Sequence, residues 1–385
     1  MTSLLIIIYF AFISLGLPDG LLGSSWTVMH LDLNSSISNA GLFSMAVSAF
    51  TIVSSLFCGK LTAKIGTGKL CSISVLLTAL GLLGISTTKS FPIMMIYSIP
   101  LGLGAGAVDS SLNNFVAVHY KARHMNWLHT CWGIGATAGP IIMSIFLVKQ
   151  SGWRLGYLTF ALIQFSLVIL LFSTLKLWKI EDDKTKRKDE IAKDLSFKNL
   201  ISLPGAKASF LIFFCYCSME NIVGLWGSSY LVFTKAIPAQ TAAQWVGYYY
   251  LGITLGRFLM GFLSFHFDDD KRINLGNIFI IIGIILLFFQ KNNIFQMIGL
   301  IIIGFGFAPI FPAMIHSNPR KFSEKYSAGI IGLQMAFAYL GITLMPPLFG
   351  YIAKALTFKI LPYIILFFTL VQIISIKILI NKTKS

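Results

Sequence analysis

Residues 20–26 read Gly-Leu-Leu-Gly-Ser-Ser-Trp, and residues 224–230 read Gly-Leu-Trp-Gly-Ser-Ser-Tyr, a near copy 204 positions further on. Gly135 and Pro140 recur as Gly341 and Pro346 at an offset of 206, and Gly59 and Leu61 recur as Gly261 and Leu263 at 202. One such match is chance in a glycine-rich chain. Three at nearly constant offset, in corresponding apolar stretches, mark an internal repeat of about half the chain.

Those stretches carry the second deciding feature. Of 385 residues, 56% are hydrophobic and 11% charged, against roughly 25% charged in soluble domains. Twelve apolar runs can be marked, at 3–28, 40–62, 69–89, 91–118, 125–148, 153–178, 208–234, 240–264, 273–290, 293–316, 326–352 and 358–380. Each is of the order of 20 residues, the length that crosses a bilayer core of roughly 30 Å as a helix. Helices are the economical solution because lipid offers the backbone no hydrogen-bond partner. The expected fold is an all-α membrane protein of twelve spans in two related six-helix bundles. The first run contains Asp19 and lacks a basic leader and a small-residue cleavage site, so it is expected to be a retained helix.

The net charge of +16 does not point to nucleic acid, because the basic residues alternate between loops. With the N-terminus inside, the cytoplasmic segments hold 22 Lys and Arg and the outer ones 7. That bias places both termini in the cytoplasm of an inner-membrane protein. Nine of the bases lie between Lys176 and Lys207, the only long polar stretch. It sets the expected division: an N-terminal bundle 1–178, a cytoplasmic linker 179–207 and a C-terminal bundle 208–385. The five cysteines all fall within spans, which argues against a disulfide framework or a metal site.

Fourteen acidic residues are present, and three fall inside spans: Asp19, Asp109 and Glu220. A mid-bilayer charge costs about 2.5–3.5 kcal/mol on insertion scales, which makes each a functional candidate. Proton coupling is the role expected for all three. The plainer alternative is an ion pair, and Arg257 is the only base inside a span. Asn113 follows Asp109 by one helical turn, and Asn126, His129 and Trp132 form a stripe at three-residue spacing. Asn221, Trp226 and Gln334 add further polar or aromatic groups. With Asp19, these form the candidate substrate contacts. Carboxylates and amides suit hydroxyl groups and a flat aromatic ring suits the C–H face of a sugar, whereas drug cavities are more uniformly apolar. For the tryptophans and for His129, packing is the competing reading.

The run Asp109-Ser110-Ser111-Leu112-Asn113-Asn114, with Met125 to His129 and the segment Trp132-Gly133-Ile134-Gly135-Ala136-Thr137-Ala138-Gly139-Pro140, resembles the fourth and fifth helices of the fucose–galactose–glucose:proton symporters of the major facilitator superfamily. Ala308 to Pro312 and Gly332 to Gln334 are similar to that group too. The resemblance implies parallel six-helix repeats around a central substrate path. It implies that the acids at Asp19 and Asp109 serve proton coupling and sugar binding, with Asn126 facing the sugar. His129 and Trp132 stand where amides are expected, which leaves the particular sugar open. The superfamily's loop signature after the second span survives as Gly59, Lys64, Gly66 and Lys69, with Ala63 in place of its acid. The cognate region after the eighth span has Arg257 and then Asp268 to Asp270. Gly59, Lys64, Gly66 and Arg257 are therefore the expected gating residues.

The leading expectation is a monomer that takes up a small sugar with protons by alternating access. The competing one is proton-driven efflux of a drug or metabolite. No nucleotide loop, nucleophile constellation or metal cluster is present in the sequence, so neither an enzyme nor a cofactor is expected.

Overall fold

The computed structural model describes residues 2–120, 122–148, 152–178, 197–263, 267–289 and 292–383. The greater part of the expected linker, 179–196, lies outside them. The helices are α1 (Thr2–Gly16), α2 (Leu21–Asp32), α3 (Asn39–Ile65), α4 (Thr67–Thr87), α5 (Phe91–His119), α6 (Ala122–Phe146) and α7 (Trp153–Ser173). After a six-residue α8 (Phe197–Ser202) come α9 (Ala206–Lys235), α10 (Ala239–Leu263), α11 (Asp269–Phe288), α12 (Ile294–Phe307), α13 (Ile310–Ala355) and α14 (Leu361–Thr383). Among the described residues, ten helical segments are long and apolar enough to cross a membrane. The remaining two of the twelve spans are α6 and α10, of 25 residues each, whose apolar character is diluted by side chains such as His129 and Arg257.

The chain separates into two compact units, Met1–Glu190 with Ile237–Gly247, and Ile191–Ala236 with Tyr248–Ser385. Inside the first, Ile8, Phe12, Val75, Leu112, Phe115 and Leu171 form one apolar cluster. Large side chains such as Leu56, Ile145 and Ile169 point outward, as lipid-facing positions must.

Backbone contacts in the two units repeat one another in register. A Cβ on Gly102 would sit 2.4 Å from the Val47 carbonyl oxygen, and one on Gly304 2.1 Å from that of Tyr249. Gly104 abuts the Ser74 carbonyl as Gly306 abuts that of Gly276, and Gly81 meets Leu101 as Gly283 meets Ile303. All three correspondences have the same offset of 202 residues. Small residues admit such close approach, which is how helices pack where lipid is as apolar as the side chains.

Two spans are broken within their length. Pro18 has no N–H to give the Ser14 carbonyl, and the chain turns through residues 17–20 between α1 and α2. Ala308 and Pro309 interrupt the tenth span between α12 and α13. The boundary expected between the tenth and eleventh spans, between 316 and 326, falls inside α13 at Ser323, whose non-helical backbone (φ 62°, ψ 158°) separates two helices. That is backbone geometry normally left to glycine.

Candidate functional site

Asp19 lies in the break between α1 and α2, exposed, two residues before the N-terminus of α2. Its Oδ2 accepts a 2.7 Å hydrogen bond from Trp132 Nε1 on α6. Backbone proximity makes this possible: a Cβ on Gly16 would lie 2.1 Å from the Trp132 carbonyl oxygen, and one on Gly135 2.0 Å from that of Ile13. The carbonyl freed by Pro18 is met by Gln164 of α7, which donates from Nε2 to the Ser14 carbonyl at 2.8 Å while its Oε1 accepts from Ser14 Oγ at 2.6 Å.

Asp109, half-buried on α5, accepts from Asn113 Nδ2 at 2.8 Å, the helical-turn pairing that the spacing implies. The same amide also donates to the Asp109 carbonyl at 3.0 Å. His129, on the α6 face that carries Trp132, stands edge-on to Phe12 of α1 with ring centroids 6.0 Å apart. Asn126 is on α6, but its side chain lies outside the described residues.

In the second unit Glu220 has the plainer partner. Arg257 of α10 lies 3.9 Å away, both side chains being largely buried (14% and 18% exposed). Tyr249 donates to the Glu220 backbone carbonyl at 3.1 Å. Arg257 is thus placed beside an acid inside the span. Asn221 spends an amide hydrogen on the Cys217 carbonyl of its own helix.

Two expected ligand groups are enclosed. Trp226 is fully buried, with its indole N–H on the Pro346 carbonyl at 2.8 Å and its ring against Phe349 and Phe358. Gln334 and Asn318, both fully buried, exchange reciprocal amide bonds of 2.7 and 3.0 Å. Their hydrogen-bonding capacity is directed at other parts of the same unit.

Among the expected gating residues, Gly66 supplies the positive φ (81°) that ends α3 and starts α4. Gly59 has open space where a Cβ would be, and Lys64 is exposed. The cognate region in the second unit is built from charge. Asp268 caps α11 through the Lys271 N–H, and Asp269 binds Arg272 and His316. Asp270 accepts from Lys321 at 2.6 Å and Arg320 at 3.2 Å. Sequence reading missed the α13 partners, although an acidic triplet at a helix start and a basic cluster 50 residues later were both visible.

The family model described as Major Facilitator Superfamily matches residues 8–314 and 208–384. Bypass of stop codon protein 6 of Saccharomyces cerevisiae is 23% identical over 309 residues, covering 71% of this chain and 61% of that protein. The chain thus spans less than two thirds of the yeast protein's length. The glucose/mannose transporter GlcP of Bacillus subtilis is 24% identical over 296 residues, 73% of this chain and 70% of that one. Among solved structures, a D-xylose–proton symporter superposes with a TM-score of 0.78 at 13% identity, covering 100% of this chain and 98% of its own. A variant of the nucleoside transporter NupG gives 0.77 at 14%, covering 98% and 99%. A bacterial homologue of the human lysosomal transporter Spinster, captured inward-facing and occupied, gives 0.73 at 10%, covering 100% and 97%. At such identities the likeness in structure speaks for the fold alone, while the family match spans nearly the whole sequence. The chain belongs to the Major Facilitator Superfamily of membrane transporters.

Proposed function

We propose that this chain takes up a small sugar together with protons by alternating access. It works as a monomer in the inner membrane, with both termini and the 179–207 linker cytoplasmic and the bundles 1–178 and 208–385 as its two halves. The observation that carries the reading is the partnering of the two acids in the first unit. Asp19 and Asp109 each hold a neutral N–H donor, Trp132 and Asn113. A carboxylate that holds such a donor can take a proton or accept a sugar hydroxyl at membrane depth. Glu220, beside Arg257, lacks that freedom, so coupling is assigned to Asp19 and Asp109. The names of the relatives support the substrate class: the Bacillus protein is a glucose/mannose transporter and one structural neighbour is a D-xylose–proton symporter.

The test is a panel of hexoses, pentoses, nucleosides and cationic drugs added to the purified protein during thermal unfolding. A ligand raises apparent stability by RT ln(1 + [L]/Kd). At least one sugar is expected to raise Tm, and the same sugar should accumulate in proteoliposomes when the outside is made acidic. Stabilisation by drugs alone, or sugar accumulation indifferent to a proton gradient, overturns the proposal.

A further inference from the structure

We infer that Trp132 is a positioning residue, whose indole N–H orients the Asp19 carboxylate as an acceptor for substrate hydroxyls, and that it does not serve as a stacking surface for the sugar. The substrate part of this inference rests on the sugar-transport reading above.

Asp19 occupies a turn, where no regular helix fixes the direction of its side chain. Trp132 comes from the middle of α6, a helix locked to α1 by the backbone contacts of Gly16 with Trp132 and of Gly135 with Ile13. The indole therefore has a fixed base, and its N–H reaches Asp19 Oδ2 at 2.7 Å across 113 residues of sequence. An indole has a single N–H and no acceptor. Given to Asp19, that donor is not available to a substrate, and a hydrogen bond to a carboxylate is stronger than one to a neutral hydroxyl. Asp19 itself remains exposed, so a ligand can approach the oriented carboxylate. The titratable groups carried by helices packed against α1 and α2 include Asp109 on α5, His129 and Cys131 on α6, and Tyr157 on α7.

Two measurements test the assignment, one of them without any sugar. Trp132→Phe keeps an aromatic ring and removes the donor. In the sugar-free protein, labelling of Asp19 by dicyclohexylcarbodiimide, read by peptide mass spectrometry, is expected to rise severalfold in Trp132→Phe while labelling of Asp109 stays level. In the second measurement, D-glucose affinity is compared in a double-mutant cycle. Trp132→Phe should weaken binding about tenfold beside Asp19 and by less than about twofold in the Asp19→Asn background, because interacting residues are not additive. Loss of mere ring packing would cost the same in both backgrounds. Equal losses in the cycle, or unchanged labelling of Asp19, overturn the inference. Failure of the wild type to bind any sugar of the panel overturns the sugar reading, and the labelling result then still decides the role of Trp132. If Trp132→Phe does not fold, Trp132→Tyr, which keeps the bulk and displaces the donor, takes its place in both measurements.

Discussion

Gln164 Nε2 lies 2.8 Å from the Ser14 carbonyl oxygen, the one acceptor in α1 that Pro18 deprives of its helical donor. The break in the first span is thereby satisfied from a helix 150 residues away, and the proline becomes tolerable inside the membrane. Gln164→Leu should destabilise the protein by about 1–3 kcal/mol, the cost of a buried polar group left unmade. A fall in Tm without loss of affinity per folded molecule is the expected result. Unchanged stability would mean that another group reaches Ser14.

Asp109→Asn keeps the shape of the side chain and removes its exchangeable proton. The variant is expected to lose accumulation of substrate against a gradient while retaining exchange of substrate across proteoliposomes. Full proton-driven accumulation by this variant would remove Asp109 from the coupling mechanism.

The Glu220 and Arg257 pair makes a prediction of opposite character. Removing one member leaves the other charge at membrane depth without its partner, a loss of about 3–5 kcal/mol for a buried pair. Arg257→Leu and Glu220→Leu should each lower Tm substantially, and the double variant should recover much of the loss. If the double variant is as unstable as the sum of the singles, the pair is not coupled.

The basic residues make a topological prediction. In a background lacking the native cysteines, Ser36→Cys should react with an impermeant thiol reagent from outside intact cells, and Lys184→Cys only after the membrane is opened. The reverse pattern overturns the orientation.

What the sequence made legible was whatever is written in local pattern. The twelve apolar runs, the repeat around Gly20 and Gly224, and the membrane-depth acids could all be read directly. So could the bond between Asp109 and Asn113, because one helical turn separates them. The constant 202-residue offset of the glycine contacts was present in the sequence too. The glycines themselves, Gly102, Gly104, Gly304 and Gly306, are visible in it, but the carbonyls they meet are fixed only by the fold. The same reason hides the partners of Ser14 and Asp270, which come from helices far along the chain. The burial of Trp226 was hidden for a different reason. On α9, most of whose residues are buried, a polar or aromatic side chain carries no sign of which side meets ligand and which meets another helix.

The glycine contacts also determine what can move. Where Gly102 and Gly304 bring helix axes together until main chain touches main chain, there is no layer of side chains to slip or re-rotamer. The pairs α3 with α5 and α10 with α12 must therefore travel as solid blocks during any transport cycle. Bending is left to the joints where regular helix is interrupted: the turn at 17–20, the break at Ala308 and Pro309, and the kink at Ser323. A transport defect that spares both binding and stability should map to those three joints, and a defect in the glycine seams should appear as failure to fold.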